Sequence, residues 1–205
     1  LYLAEKFKAT ATGITLSPVQ AARADERAKN AFLEGNVSFQ VADALNLPFA
    51  ANSFDLVWSL ESGEHMADKT RFLEECYRVL KPDGLLIFAT WCHRPTNSLA
   101  GDLTADEKRH LEEIYRVYYL PYVISLPEYE AIASNCGFKN IIADDWSTAV
   151  APFWDIVIES AIDPKVITGL LQSGWTTIQG ALALGLMSQG YERGLVRFGV
   201  LCGRK

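Results

Sequence analysis

The stretch Phe54-Asp55-Leu56-Val57-Trp58-Ser59-Leu60-Glu61-Ser62-Gly63-Glu64-His65-Met66 decides how this chain is organised. Phe54 and Leu56 to Trp58 are large, apolar and rich in β-formers, which predicts a buried strand. The character then changes abruptly to Glu61, Ser62, Gly63, Glu64 and His65. A strand that runs into ionisable residues at its carboxyl end marks the place for chemistry in an open α/β sheet.

Working outward, strand and helix signals alternate. Leu3, Ala4 and Phe7 have helical spacing, and Ala11 to Leu16 reads as a short strand. Ser17-Pro18 opens a helix, because serine caps free amides and proline suits the first turn. That helix is expected to run through Leu33 and to stop at Gly35-Asn36. Val37 to Val41 alternates as a strand does. Beyond the deciding stretch, Lys69 to Leu80 is predicted helical, with Phe72, Leu73, Cys76, Val79 and Leu80 on one face. Lys81-Pro82-Asp83-Gly84 is a turn signal, and Leu85 to Thr90 is a strand covered on both sides. This grammar predicts an α/β fold built on a doubly wound, mostly parallel sheet.

The second half is less regular. Thr104 to Val117 reads as a helix with a capping box formed by Thr104 and Glu107. Leu126 to Cys136 is a helix ended by Gly137, and Phe138 to Ile142 is a strand. Ala151 to Ile162 and Val166 to Tyr191 are mainly helical, and Leu195 to Cys202 is a last strand. The 205 residues suit one domain, with 92–137 and 147–193 as helical insertions that form a lid. The apolar stretch from Ile167 to Met187 suits contact with a lipophilic ligand or a membrane surface. A core helix or a homodimer interface explains it as well.

Composition excludes several classes. The formal charge of −6 disfavours nucleic acid as a partner, and no run of like charge is present. The four cysteines are far apart and form no CxxC, so no metal site is expected. Reduced thiols fit a cytoplasmic or plastid-stromal protein. No signal peptide and no bilayer-spanning run is read. The sequence opens on Leu1 in a helix already under way, which predicts a missing front.

Four groups of residues carry candidate chemistry. Thr15 and Gln20 flank the first strand-to-helix corner and could hold a ribose diol, although an ordinary βα turn explains them better. Asp43, at the next strand end, could accept from an exocyclic amine or simply form a turn. His65 could serve as a general base, with Glu64 either its partner or a charge at a helix entry. His93 follows another strand as a second candidate, whereas His110 lies on a charged helix and reads as solvated. Trp58, Trp91, Tyr118, Tyr119, Tyr122, Trp146, Phe153 and Trp154 could stabilise a cation, line an apolar pocket or pack the core.

Taken in order, GITLSPVQA, VADALNLPF, FDLVWSLESGEHMADK, EECYRVLKPDG, TWCHR and VAPFW resemble class I S-adenosylmethionine-dependent methyltransferases, and within them the γ-tocopherol methyltransferase group with its related alkaloid N-methyltransferases. The resemblance implies a Rossmann-like sheet. It places Thr15, Leu16 and Gln20 at the cofactor ribose, Asp43 and Ala44 at the adenine, and Ser59, Leu60 and Glu61 at the methionine part. Glu64 and His65 fall at the active centre, with His65 as the base. Trp91, His93, Tyr119 and Trp154 are its substrate candidates, for a small lipophilic acceptor and with peripheral membrane contact. The family's glycine-rich loop and the first strand before it are absent, so the family sheet would lack its first strand.

That departure keeps a cofactor-free scaffold protein in view. A nicotinamide-dependent oxidoreductase is disfavoured, because the TLSPVQ corner lacks an acidic ribose ligand.

Overall fold

The computed structural model describes residues 1–162 and 175–205. They fall into two units, Leu1–Ala51 and Asn52–Lys205.

The first unit begins with helix α1 (Tyr2–Phe7) and strand β1 (Ala11–Thr15). Helix α2 (Pro18–Asn30) returns the chain to strand β2 (Val37–Val41), which pairs in parallel with β1 from Ala11–Val37 to Thr15–Val41. Ser17 caps α2 by accepting from the Gln20 amide, and Pro18 occupies the first turn. The helix ends three residues before the expected Leu33. Phe32 takes the left-handed conformation, and the Leu33 and Phe32 amides close back on the Ala28 and Lys29 carbonyls. A Schellman closure of this kind satisfies the last carbonyls without the glycine at position 35.

The second unit is a four-stranded sheet in the order β3-β4-β6-β5. Its strands are β3 (Phe54–Leu60), β4 (Leu80–His93), β5 (Lys139–Asp145) and β6 (Val196–Arg204). β3 and β4 are parallel, while β6 runs antiparallel to both its neighbours. Three of the four strands therefore point the same way, and the mostly parallel, Rossmann-like sheet expected from the sequence is present. The Lys81–Gly84 turn interrupts β4 as a bulge: Leu80 pairs with Phe54 and Leu85 with Leu56, leaving Asp55 opposite the extra residues. Lys81 Nζ closes it on the Asp55 carboxylate at 2.9 Å.

Side chains of β4 alternate between two helical layers. Phe88 packs on Phe72 of α3 (Lys69–Val79) and on Tyr129 of α5 (Leu126–Cys136). Ala89 and Trp91 face the other way, into a core shared with α4 (Ala105–Tyr118), α7 (Pro152–Ile162) and α8 (Trp175–Glu192). A short α6 (Ser147–Val150) leads into α7. Thr104 and Glu107 form the expected capping box, and Gly137 ends α5 at φ 104°. Segment 92–137 thus holds α4 and α5, and segment 147–193 holds α6 to α8.

Three expectations need correction. Among the described residues β3 stands at a sheet edge, where the sequence reading expects a buried strand. It pairs only with β4 among the described residues, leaving Leu56, Trp58 and Leu60 between 36% and 55% exposed. His110 is buried, not solvated, because α8 crosses α4 there and the Leu186 carbonyl lies 2.8 Å from its Nε2. The apolar stretch Ile167–Met187 lies partly outside the described residues. Where it is described, Met187 is fully buried and Leu184 and Leu186 pack on the core. No helix among the described residues is long and apolar enough to cross a membrane.

Candidate active site

The carboxyl end of β3 is shaped by a sharp change of direction. Glu61 adopts a left-handed φ of 48°, and its amide is held by the Ala89 carbonyl of β4 at 2.8 Å. A non-glycine residue in this region costs roughly 1–3 kcal/mol and persists only where its surroundings fix it. The chain then enters a single 3₁₀ turn, Gly63–His65. The Ser59 and Ser62 hydroxyls, 2.6 Å apart, brace the entry. Gly63 is required by close approach, since a Cβ there would lie 2.4 Å from the Phe88 ring.

This turn separates the two residues that the sequence places side by side. Glu64 points inward and is 1% exposed, with Oε2 accepting from the Thr90 hydroxyl at 2.6 Å. Burial pushes its carboxyl above the usual range, and the Thr90 bond pulls it partly back. Beneath the turn, the buried Lys69 ammonium donates to the Gly63 and Glu64 carbonyls at 2.9 and 3.0 Å, with the Tyr122 ring 4.6 Å away. Desolvation lowers the Lys69 pKa to about 8. Tyr129 adds a longer contact to the Gly63 carbonyl, at 3.4 Å. His65 is the exposed member, standing clear of the interior.

In the first unit, Thr15 donates its hydroxyl to Gln20 Oε1 at 2.7 Å. Gln20 is exposed. Leu16 is 73% exposed beside it. Asp43 accepts from the Leu45 amide at 2.8 Å, the turn-forming bond its sequence also allowed. Ala44 follows in the same turn.

The substrate candidates divide. Trp91 and Trp154 meet edge to face at 5.7 Å, joined by Tyr118 and by Tyr191, a residue the sequence reading passed over. Tyr191 sits near the end of a long apolar helix, and only the packing of α8 on α7 shows where it points. Tyr119 does not join them. It caps α4 in a left-handed conformation that tucks Leu120 inward and leaves Tyr119 90% exposed. His93 is buried against the Arg94 carbonyl, 2.7 Å from its Nδ1, and lines a separate cavity of about 170 Å³ with Asp145 and Arg197. No cluster of metal-ligating side chains occurs among the described residues.

A "Methyltransferase domain" family model matches residues 1–88. A sarcosine dimethylglycine methyltransferase candidate from Galdieria sulphuraria shares the fold with a TM-score of 0.85 at 23% identity, over 100% of this chain and 72% of that one. Norajmaline N-methyltransferase from Rauvolfia serpentina is 34% identical over 100% of this chain and 70% of its own length. The chloroplastic tocopherol O-methyltransferase of Arabidopsis thaliana is 46% identical over 100% of this chain and 59% of its own length. The chain thus spans less than two thirds of that relative. It belongs to the class I S-adenosylmethionine-dependent methyltransferases, in their tocopherol methyltransferase-like group.

Proposed function

We propose that the protein carrying this chain transfers a methyl group from S-adenosylmethionine to a tocopherol-type prenylated phenol, with an aromatic ring carbon as the accepting atom. The observation that carries the reading is the divided turn: Glu64 is locked inside while His65 is presented to solvent at the carboxyl end of β3. In the first unit, Thr15, Leu16 and Gln20 serve the cofactor ribose, and Asp43 and Ala44 the adenine. In the second, Ser59, Leu60 and Glu61 serve the methionine part. The plastid stroma is the expected compartment, by likeness to the chloroplastic relative.

The bound cofactor supplies a methyl group already activated by its sulfonium. The chain's residues align the acceptor and remove its proton. Holding the reacting groups in line supplies roughly 7–11 kcal/mol of the barrier. His65 takes the proton released as the new carbon–methyl bond forms. Glu64 acts through the backbone, fixing the turn from inside, and does not reach the acceptor. The test uses the natural full-length protein with γ-tocopherol and S-adenosylmethionine. Replacing His65 by alanine should lower kcat by about 10²–10⁴-fold while leaving S-adenosylhomocysteine affinity intact. Near-normal turnover would remove His65 from the role. No binding of S-adenosylhomocysteine by the unmodified protein would favour a scaffold instead.

The relative that this chain covers to 70% acts by name on an alkaloid amine, so an amine acceptor is the second reading. Product analysis separates the two, and it also separates carbon from oxygen methylation.

A further inference from the structure

Three buried polar atoms in the second unit lack hydrogen-bond partners among the described residues: Trp91 Nε1, Trp154 Nε1 and Tyr191 Oη. All three belong to one aromatic cluster. Trp91 and Trp154 centroids are 5.7 Å apart, Trp154 and Tyr191 stack at 6.4 Å, and none of the three residues is more than 9% exposed. Orphaned buried donors are rare in folded proteins and call for an occupant. Desolvation raises the Tyr191 phenol, and an interaction with the Trp154 indole lowers it in part.

The cluster lies beside the end of β3. Trp91 is two residues beyond Ala89 on the same face of β4, and the Ala89 carbonyl holds the Glu61 amide. The Glu61 carboxylate is also close enough to Tyr191 to act on its ionisation.

We propose that Trp91, Trp154 and Tyr191 form the polar end of the acceptor pocket and hold the oxygen of a phenolic ring. The chemistry of the donors selects that class. An indole N–H can only donate, so two indoles demand an oxygen with free lone pairs. A tyrosine hydroxyl can donate or accept, which matches a phenol that does both. A protonated amine offers no lone pair and would meet two N–H dipoles of the wrong sign. The rings touch one another, so seating the acceptor requires α7 to shift away from the sheet. Ser188 of α8 ties α7 at Asp155 through a 3.0 Å bond. This assignment rests on the phenol reading of the function above.

The test compares binding of two probes to the natural full-length protein with S-adenosylhomocysteine present. One is a short-tailed γ-tocopherol analogue; the other is the same chroman lacking its hydroxyl. Wild type should prefer the phenol by at least about tenfold, and Tyr191→Phe and Trp154→Phe should each erase most of that preference. Tyr191→Phe should keep the wild-type melting temperature, since its hydroxyl has no protein partner among the described residues. Trp154→Phe also loses ring packing against Trp91, Tyr118 and Phe153 and should melt lower, so its preference is read as the ratio of the two probes on the same variant. An undiminished preference in both variants overturns the inference while leaving the phenol reading intact. A Tyr191→Phe variant that melts several degrees lower with unchanged preference assigns the hydroxyl to a structural water, which also overturns it. If wild type binds neither chroman but binds norajmaline, the functional reading itself fails.

Discussion

Thr90→Val is a sharp test of how the Thr90 hydroxyl holds the buried Glu64 carboxyl as pH rises. The swap keeps the side-chain shape and removes one hydroxyl. Thr90 is 0% and Glu64 1% exposed, so no water replaces the 2.6 Å bond. A hydrogen bond to a charged group contributes about 1.5–3 kcal/mol, and that much stability should be lost at pH 7–8. The pH dependence is the more telling part. Burial raises the Glu64 pKa above the ordinary carboxylate range. An acid raised on folding contributes stability that is fully present below the unfolded pKa and is lost as pH rises through the folded one. The Thr90 bond opposes that rise, so the variant should lose more stability than wild type as the carboxyl ionises. Urea unfolding between pH 4.5 and 8 should show curves within about 1 kcal/mol of each other at the acid end and diverging above it. Parallel curves would refute the reasoning, since Thr90 would then be bonding a carboxyl neutral throughout the range.

Three further outcomes follow from neighbouring features. Lys69, with its pKa near 8 against 10.5 unfolded, releases its proton first in the native state, so wild type should gain stability relative to Lys69→Met between pH 8 and about 10.5; a flat difference across that window counts against the buried ammonium. Glu107 is held to about 2 by the Arg94 guanidinium, so Glu107→Gln should destabilise at neutral pH, with the deficit shrinking as pH falls from 4.5 toward 2. Gly63→Ala forces a methyl into the Phe88 ring and should cost about 1–3 kcal/mol while displacing the His65 turn; wild-type stability and turnover would contradict the packing described here.

Much of the scaffold was legible because its signals are local. Ser17-Pro18, the Thr104–Glu107 box and Gly137 announce helix ends through bonds spanning three or four residues. The placement of His65 at a strand end followed from the same grammar. What escaped depends on contacts distant in sequence. His110 reads as solvated until α8, some seventy residues later, lays a carbonyl against it. Glu64 and His65 look equivalent in sequence, and only Thr90 on the neighbouring strand separates them. Tyr191 could have been found by one signal, its place among the aromatics clustered in the second half, but that does not say which of them converge.

The strand order β3-β4-β6-β5 carries a consequence for how this molecule is made. β6 follows both β4 and β5 in the chain yet inserts between them, so its two neighbours leave the ribosome before it. Until it arrives, β5 has no ladder and the inner edge of β4 is bare, a template for unwanted strand addition. Completion of the sheet therefore waits until Val196–Arg204 has emerged, and the nascent half-sheet is the species a chaperone would need to shield.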